Sequence, residues 1–324
     1  MKNEYTIDVS YASSNEFVMY AYISIFSLLE NNKNIDDINL HYISNGVDDI
    51  NKKRLVDLVK SYSRKIEFIE LSDVVPNGKL DVKFPAATYA KLFLSNVIKA
   101  DKIIHIDCDT LILNSLQDLW NIDMENNAIA GVIDNITYNE RCKIFDNKNN
   151  NYINAGNTMI NLKYWRENNL DVQCLNCINK YDGNVPMADQ GVINMVLNSC
   201  IKIIEPIYNA MPPMFVYSAK QLKKMYKLED YYSDMQLYKV RERPTIVHFT
   251  INYFNRPWNE PCYHPLKETY RYYMEQTIWK NEIIYNPIDK KTKFVYFLHN
   301  HFPFWMELLF YKLIEVKKLL IRRK

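Results

Sequence analysis

Glycine is scarce in this sequence: six residues in 324, at positions 46, 78, 131, 156, 183 and 191. No two stand at the G-x-G-x-x-G spacing and no G-x-x-x-x-G-K-[ST] occurs, so both familiar glycine-lined phosphate cradles are excluded. A nucleotide bound here needs its phosphates neutralised by another device. Excess positive charge is also missing from the body. Lys and Arg number 40 against 38 Asp and Glu, and residues 312–324 alone hold six of the cations with one Glu. The remainder is slightly acidic and lacks the basic face that nucleic acid requires. No second C-x-x-C accompanies Cys174 and Cys177, which fall in a segment read as helix (165–181). Buried thiols are expected there rather than zinc or redox chemistry. The opening "MKNEYTIDVSYASS" turns polar before the apolar core of an export signal can form, and with unpaired thiols this places the expected location in the cytoplasm.

What is present alternates strand and helix signals. "TIDVSYA" (6–12), "INLHYIS" (38–44), "KIEFIEL" (65–71) and "KIIHID" (102–107) read as strands. Helical patterns fill 17–32, 48–63 and 85–98 between them. This implies an α/β fold with a mostly parallel central sheet flanked by helices on both faces. Further strand signals fall at 127–134, 152–162 and 244–249, and a helix starts near Asp189. No linker forces a domain boundary, although a soft break is read near Pro287.

Sheets of this kind bind ligands beyond the carboxyl ends of their strands. "HIDCDTLIL" (105–113) puts Asp107 and Asp109 at such an end, after a very apolar run. Carboxylates are costly to desolvate, so the pair needs a partner. Two hard oxygen ligands at i and i+2 can grip Mg²⁺ or Mn²⁺ together with substrate phosphates. By itself a D-x-D equally fits solvated acids at a strand end. His248, after the late strand, is a third candidate ligand, and Arg256 can meet a phosphate. Asn154 and Gly156 alone equally fit a strand bulge, and Asp189 an acid in the first turn of a helix.

Several segments in one order resemble glycosyltransferase family 8, across roughly residues 5–260. They are "YASSNEFVMYAYISIFSLLENN" (11–32), "TYAKLFL" (88–94), "HIDCDTLIL", "NAGNTMINLKYW" (154–165), "ADQGVIN" (188–194) and "HFTINYFNRPW" (248–258). The resemblance implies a GT-A, Rossmann-like catalytic domain at 1–262, followed by a helical extension at 263–324. It implies a retaining, metal-dependent hexosyltransferase of the lipopolysaccharide galactosyl- and glucosyltransferase type. Such an enzyme takes a hexose from a UDP-sugar donor to a glycan or lipid-linked glycan acceptor. Asp107, Asp109 and His248 would hold Mn²⁺ or Mg²⁺. Ala12, Ser13, Ser14, Lys91, Cys108, Asn154, Ala155 and Arg256, with the two aspartates, would contact the donor, and Asp134, Asp189 and Gln190 would serve the chemistry.

Two departures from the family pattern stand out. Ser14 and Glu16 occupy positions that carry Asp and Asn in the opening motif, and Ile251 and Asn252 fall where the closing motif has its glycine. These departures keep open a family member that binds sugar nucleotide or glycan without turnover. A haloacid-dehalogenase-type phosphatase also carries D-x-D after an apolar strand, although Thr110 directly follows Asp109 here rather than standing two residues on. Of the aromatics, Trp258 is the candidate sugar platform. The last segment, "NHFPFWMELLFYKLIEVKKLLIRRK", has an apolar run too interrupted to span a bilayer. Aromatics first and cations last suit a helix lying on the inner face of an anionic membrane; a docked amphipathic helix with a solvated end is the other reading.

Overall fold

The structure is a computed structural model, and it describes residues 5–78, 80, 84–136, 138–144, 152–250, 254–286, 290–310 and 312–313. Ile251, Asn252, Pro287 and the basic run from residue 314 lie outside the described residues.

Nine strands position the site: β1 (Thr6–Ser14), β2 (Asp37–Asn45), β3 (Lys65–Glu70), β4 (Ile103–Ile106), β5 (Thr110–Ile112), β6 (Ile129–Gly131), β7 (Asn157–Ile160), β8 (Ile201–Ile203) and β9 (Ile246–His248). Seven form the central sheet in the order β3-β2-β1-β4-β7-β6-β8. β3, β2, β1 and β4 run parallel; β7 reverses against β4 and β6, and β8 is parallel to β6. The mostly parallel α/β sheet expected from the alternation is therefore the one observed. β4 is buried along its whole length, which explains its continuous apolar reading.

The helix Val18–Asn31 buries Val18, Ala21, Ile25 and Leu28, one stripe at helical spacing. The helix Asp49–Ser61 starts at Asp48, whose carboxylate caps the Asn51 amide.

Three local readings differ from expectation. Segment 85–98 is no α-helix but a pair of tight 3-10 stretches, Ala86–Leu92 and Leu94–Asn96. It lies in the core on nearly every side, so it has no polar face for a longer amphipathic helix. The helix at 165–181 is two helices, Leu162–Asn168 and Leu170–Lys180, broken at Asn169, whose φ of 50° is left-handed and tolerable for asparagine. The late strand leaves the main sheet and pairs β9 antiparallel to β5, a strand the sequence reading lacked, setting His248 opposite Thr110. All six cysteines are free thiols, with Cys174 buried.

Candidate active site

β4 ends at Ile106 and its chain is held at once: Asp107 N–H donates to the Gly156 carbonyl at 2.8 Å. Cys108 donates its thiol to the Ala12 carbonyl at 3.4 Å and ties this end of β4 to the end of β1. One short turn later β5 begins, and the β5–β9 pairing carries His248 across 139 residues to Asp109. Its Nε2 stands 3.1 Å from Asp109 Oδ1 and 4.0 Å from Asp107 Oδ2. One ligand atom from each of Asp107, Asp109 and His248 lies within 4.8 Å of the others. Hard carboxylates with one imidazole fit Mn²⁺ or Mg²⁺. Gly156 makes room for this cluster. A Cβ there would meet His248 Cε1 at 2.3 Å and Asp107 Oδ2 at 2.8 Å, so the glycine of "NAG" serves close packing beside the three candidate ligands, not a bulge alone.

Two cations face the carboxylates. Lys91 is only 2 % exposed and reaches Asp107 Oδ1, Asp189 Oδ2 and the Ala155 carbonyl, each at 3.1 Å. Arg256 donates from Nη2 to Asp109 Oδ2 at 2.9 Å, while its buried Nε has no partner among the described residues. That orphaned donor fits an anion. Burial disfavours the Lys91 charge, but Asp107 and Asp189 outweigh it and hold the ammonium well above its usual range. Asp107 runs the other way: burial raises it, yet Lys91, His105 and His248 together hold it below the usual carboxylate range. Asp189 shares the same ammonium but stays raised, because burial and the nearby Asp107 charge exceed what Lys91 returns.

Met187, which caps the helix Ala188–Val196, and its first residue Ala188, at φ 63° and 52°, turn the chain left-handed at the helix start and deliver Asp189 to Lys91 in its first turn. Gly191 is needed one turn on, where a Cβ would lie 1.8 Å from the Pro186 carbonyl oxygen.

Beside this charged half lies a second half built from amides. Asp134 Oδ2 accepts from Gln190 Nε2 at 2.7 Å and from Asn154 Nδ2 at 3.2 Å. Gln190 also donates to Tyr152 at 2.9 Å. Its Oε1 accepts from the Ala155 backbone N–H and from Asn154 Nδ2, both at 3.1 Å. Both lone pairs of that oxygen are thus engaged inward, and the negative charge on this side resides in Asp134 and Asp189. Burial raises Asp134, a shift its hydrogen bonds only partly offset.

A cavity of about 220 Å³ opens at the ends of β1 and β4. Ala12, Ser13, Ser14, Cys108, both aspartates and Arg256 line it, together with Phe17 and His105. Glu16 is exposed and is not among the lining residues; a hydrogen bond from Ser14 holds it below the usual range. The sequence reading missed His105, which links Ser10 (3.0 Å) to Asp107 Oδ1 (3.3 Å), and it missed Tyr152. The position of His105, two before the first aspartate, was a usable signal. Trp258 is no platform. It is 2 % exposed, packs on Tyr20 and Tyr270, and carries the Arg256 guanidinium 5.3 Å over its ring.

The sequence pattern of glycosyl transferase family 8 matches residues 8–262. The chain belongs to this family. A Bacillus subtilis relative, general stress protein A, is 29% identical over 260 residues, covering 78% of this chain and 87% of its own. An Escherichia coli lipopolysaccharide 1,2-glucosyltransferase is 24% identical over 316 residues, covering 95% and 87%. A Haemophilus influenzae relative is 33% identical over 213 residues, covering 64% of this chain and 64% of its own, and the chain spans only 34% of the longer glycosyltransferase GlyA of Streptococcus pneumoniae. Among solved structures, the galactosyltransferase LgtC with donor and acceptor sugar analogues superposes with a TM-score of 0.69 at 19% identity, covering 85% of this chain and 100% of its own. The fold is GT-A, and the phosphatase reading of the D-x-D falls away.

Proposed function

We propose that the chain is a retaining hexosyltransferase moving galactose or glucose from a UDP-sugar to a hydroxyl of a glycan or lipid-linked glycan, in synthesis of surface lipopolysaccharide or polysaccharide. The observation that carries this is the meeting of Asp107, Asp109 and His248 with Lys91 and Arg256 beside one cavity, which the two aspartates and Arg256 line while Lys91 and His248 stand buried behind them. Cleavage of the sugar–phosphate bond builds negative charge on the departing diphosphate and positive, oxocarbenium-like charge on the sugar. The two aspartates and His248 would hold Mn²⁺ or Mg²⁺, which would supply Lewis-acid stabilisation of the first charge. The Arg256 guanidinium and the Lys91 ammonium add fixed positive charge on the same side. Asp134 and Asp189 present carboxylates to the sugar side, while Asn154, Ala155 and Gln190 line it.

Retention follows from attack on the face the diphosphate leaves. The acceptor oxygen bonds to the anomeric carbon as the bond to phosphate breaks, and the departing phosphate oxygen takes the acceptor's proton. Gln190 is a poor nucleophile and its oxygen is engaged, which favours this route over a glutamine-centred double displacement. A binding-only family member has less support, because both carboxylates, the histidine and both cations are in place.

The test is incubation with Mn²⁺ and a panel of UDP-sugars, following UDP release with and without acceptor. Metal-dependent release supports the reading; no release and no metal-dependent binding refutes it.

Residues 263–324 we read as an extension that meets the inner face of an anionic membrane, with the enzyme peripheral there and otherwise cytoplasmic. Phe297, Phe302, Trp305, Leu309 and Leu313 are exposed together ahead of the basic run. Among the described residues no helix is long and apolar enough to cross a membrane. Truncation after Pro303 should abolish sedimentation with anionic vesicles; unchanged sedimentation sinks this part.

A further inference from the structure

We propose that Asn209 is a positioning residue that couples the metal side of the site to the sugar side, by fixing the His248 ring and the Asn154 amide at once. This rests on the reading of the site as a metal-dependent transferase. Asn209 lies wholly buried at the end of the 3-10 turn Pro206–Asn209 and lines no part of the donor cavity. Its side chain bridges two site residues. Oδ1 lies 3.0 Å from His248 Nδ1, and Nδ2 donates to Asn154 Oδ1 at 2.9 Å. Asn157 Nδ2 donates to the same Asn209 Oδ1 at 2.8 Å.

The direction of every bond follows from one backbone group. Gly156 N–H can only donate, and it donates to the side-chain atom of Asn154 at 2.9 Å, which must therefore be the oxygen. The atom of Asn209 facing that oxygen must be its NH₂, which leaves the Asn209 oxygen facing His248. His248 Nδ1 therefore carries a proton and donates it, and Nε2 is the nitrogen turned toward Asp107 and Asp109. A metal-binding histidine held this way has its tautomer and ring plane set by the group behind it. The other Asn154 edge, now NH₂, is turned toward Asp134 and Gln190.

The main chain fixes the spacing. Ala210 N–H donates to Ile246 O at 2.8 Å and His248 N–H to Ala210 O at 3.0 Å, so Asn209 is stitched to the strand that carries the ring it holds.

Two substitutions separate the two roles. Asn209→Asp keeps an acceptor for His248 Nδ1 and loses the donor to Asn154; Asn209→Ala loses both. Mn²⁺ affinity, measured by calorimetric titration in the presence of UDP, should fall about 10–100-fold in Asn209→Ala. It should stay within about threefold of the natural protein in Asn209→Asp, while sugar transfer falls with little change in KM for the donor. A nitrogen–proton spectrum of the metal-free chain with isotope-labelled histidine supplies a readout independent of metal. His248, identified by signal loss in His248→Gln, should show a slowly exchanging Nδ1 proton that Asn209→Ala abolishes and Asn209→Asp retains. Natural Mn²⁺ affinity together with an unchanged ring signal in Asn209→Ala overturns the inference. Absence of metal binding in the unsubstituted protein instead overturns the transferase reading, and the ring signal still decides the role of Asn209.

Discussion

The half of the site around Asp107 and Asp109 is assembled from full charges and the half around Gln190 mainly from neutral amides, and the two obey different rules. On the charged side Asp107 and Asp109 are neutralised from several directions by Lys91, Arg256 and His248. No single contact fixes the geometry, and each charge is worth keeping only because the others are there. On the amide side Asn154, Gln190 and Asn209 have their orientation dictated by two backbone N–H groups, those of Ala155 and Gly156. One half is set by balance, the other by direction. Asp189 joins them: its helix carries Gln190, and its carboxylate shares the Lys91 ammonium with Asp107.

The largest expected break in this comparison comes from the charged half. Asp109→Ala removes a candidate metal ligand and also leaves Arg256 and His248 without their shared partner. Loss of several kcal/mol of charge stabilisation corresponds, at about 1.4 kcal/mol per decade, to about a thousandfold fall in kcat/KM for UDP-sugar turnover. Steady-state rates across a Mn²⁺ series measure it. A variant with full activity would refute the metal assignment.

How much of this was legible in the sequence divides along the same line. The charged residues announced themselves, because acids at the end of an apolar strand and a lysine in a buried segment contradict their surroundings unless they meet. The α/β alternation was legible for the same local reason. What stayed hidden depends on register between distant segments. β5 is only three residues long, and its pairing with β9 joins chain more than 130 residues apart. Without that pairing His248 is an isolated histidine, and Asn209 has no signal at all in a stretch without clear strand character. Trp258 misled because burial, not residue type, decides whether an indole meets sugar or core. Segment 85–98 misled because helical spacing of apolar residues does not distinguish an amphipathic helix from a stretch buried on nearly every side.

A smaller effect, on stability rather than rate, sharpens the comparison through pH. In the chain held metal-free with chelator, Asp107 sits below its unfolded value of about 3.9 and Asp134 above it. For Asp107 the unfolded chain binds more protons in the interval below about pH 3.9, so its contribution to stability is present above that pH and lost as pH falls through it. For Asp134 the folded chain binds more protons above about pH 3.9, because burial disfavours its charge, so stability is lost as pH rises toward the raised folded value. Thermal unfolding of the natural protein, Asp107→Asn and Asp134→Asn from pH 3 to 7 reads both. The advantage of the natural protein over Asp107→Asn should grow with rising pH at the acid end. Its advantage over Asp134→Asn should shrink with rising pH from about 4 upward. Each substitution carries a pH-independent cost, including the hydrogen bond Asn135 N–H gives the Asp134 carboxylate at 2.6 Å, so the slopes and not the offsets are decisive. Slopes of the same sign would mean that the amide half does not hold its carboxylate in the way its burial and hydrogen bonds require, and the division between a balanced half and a directed half would fail with it.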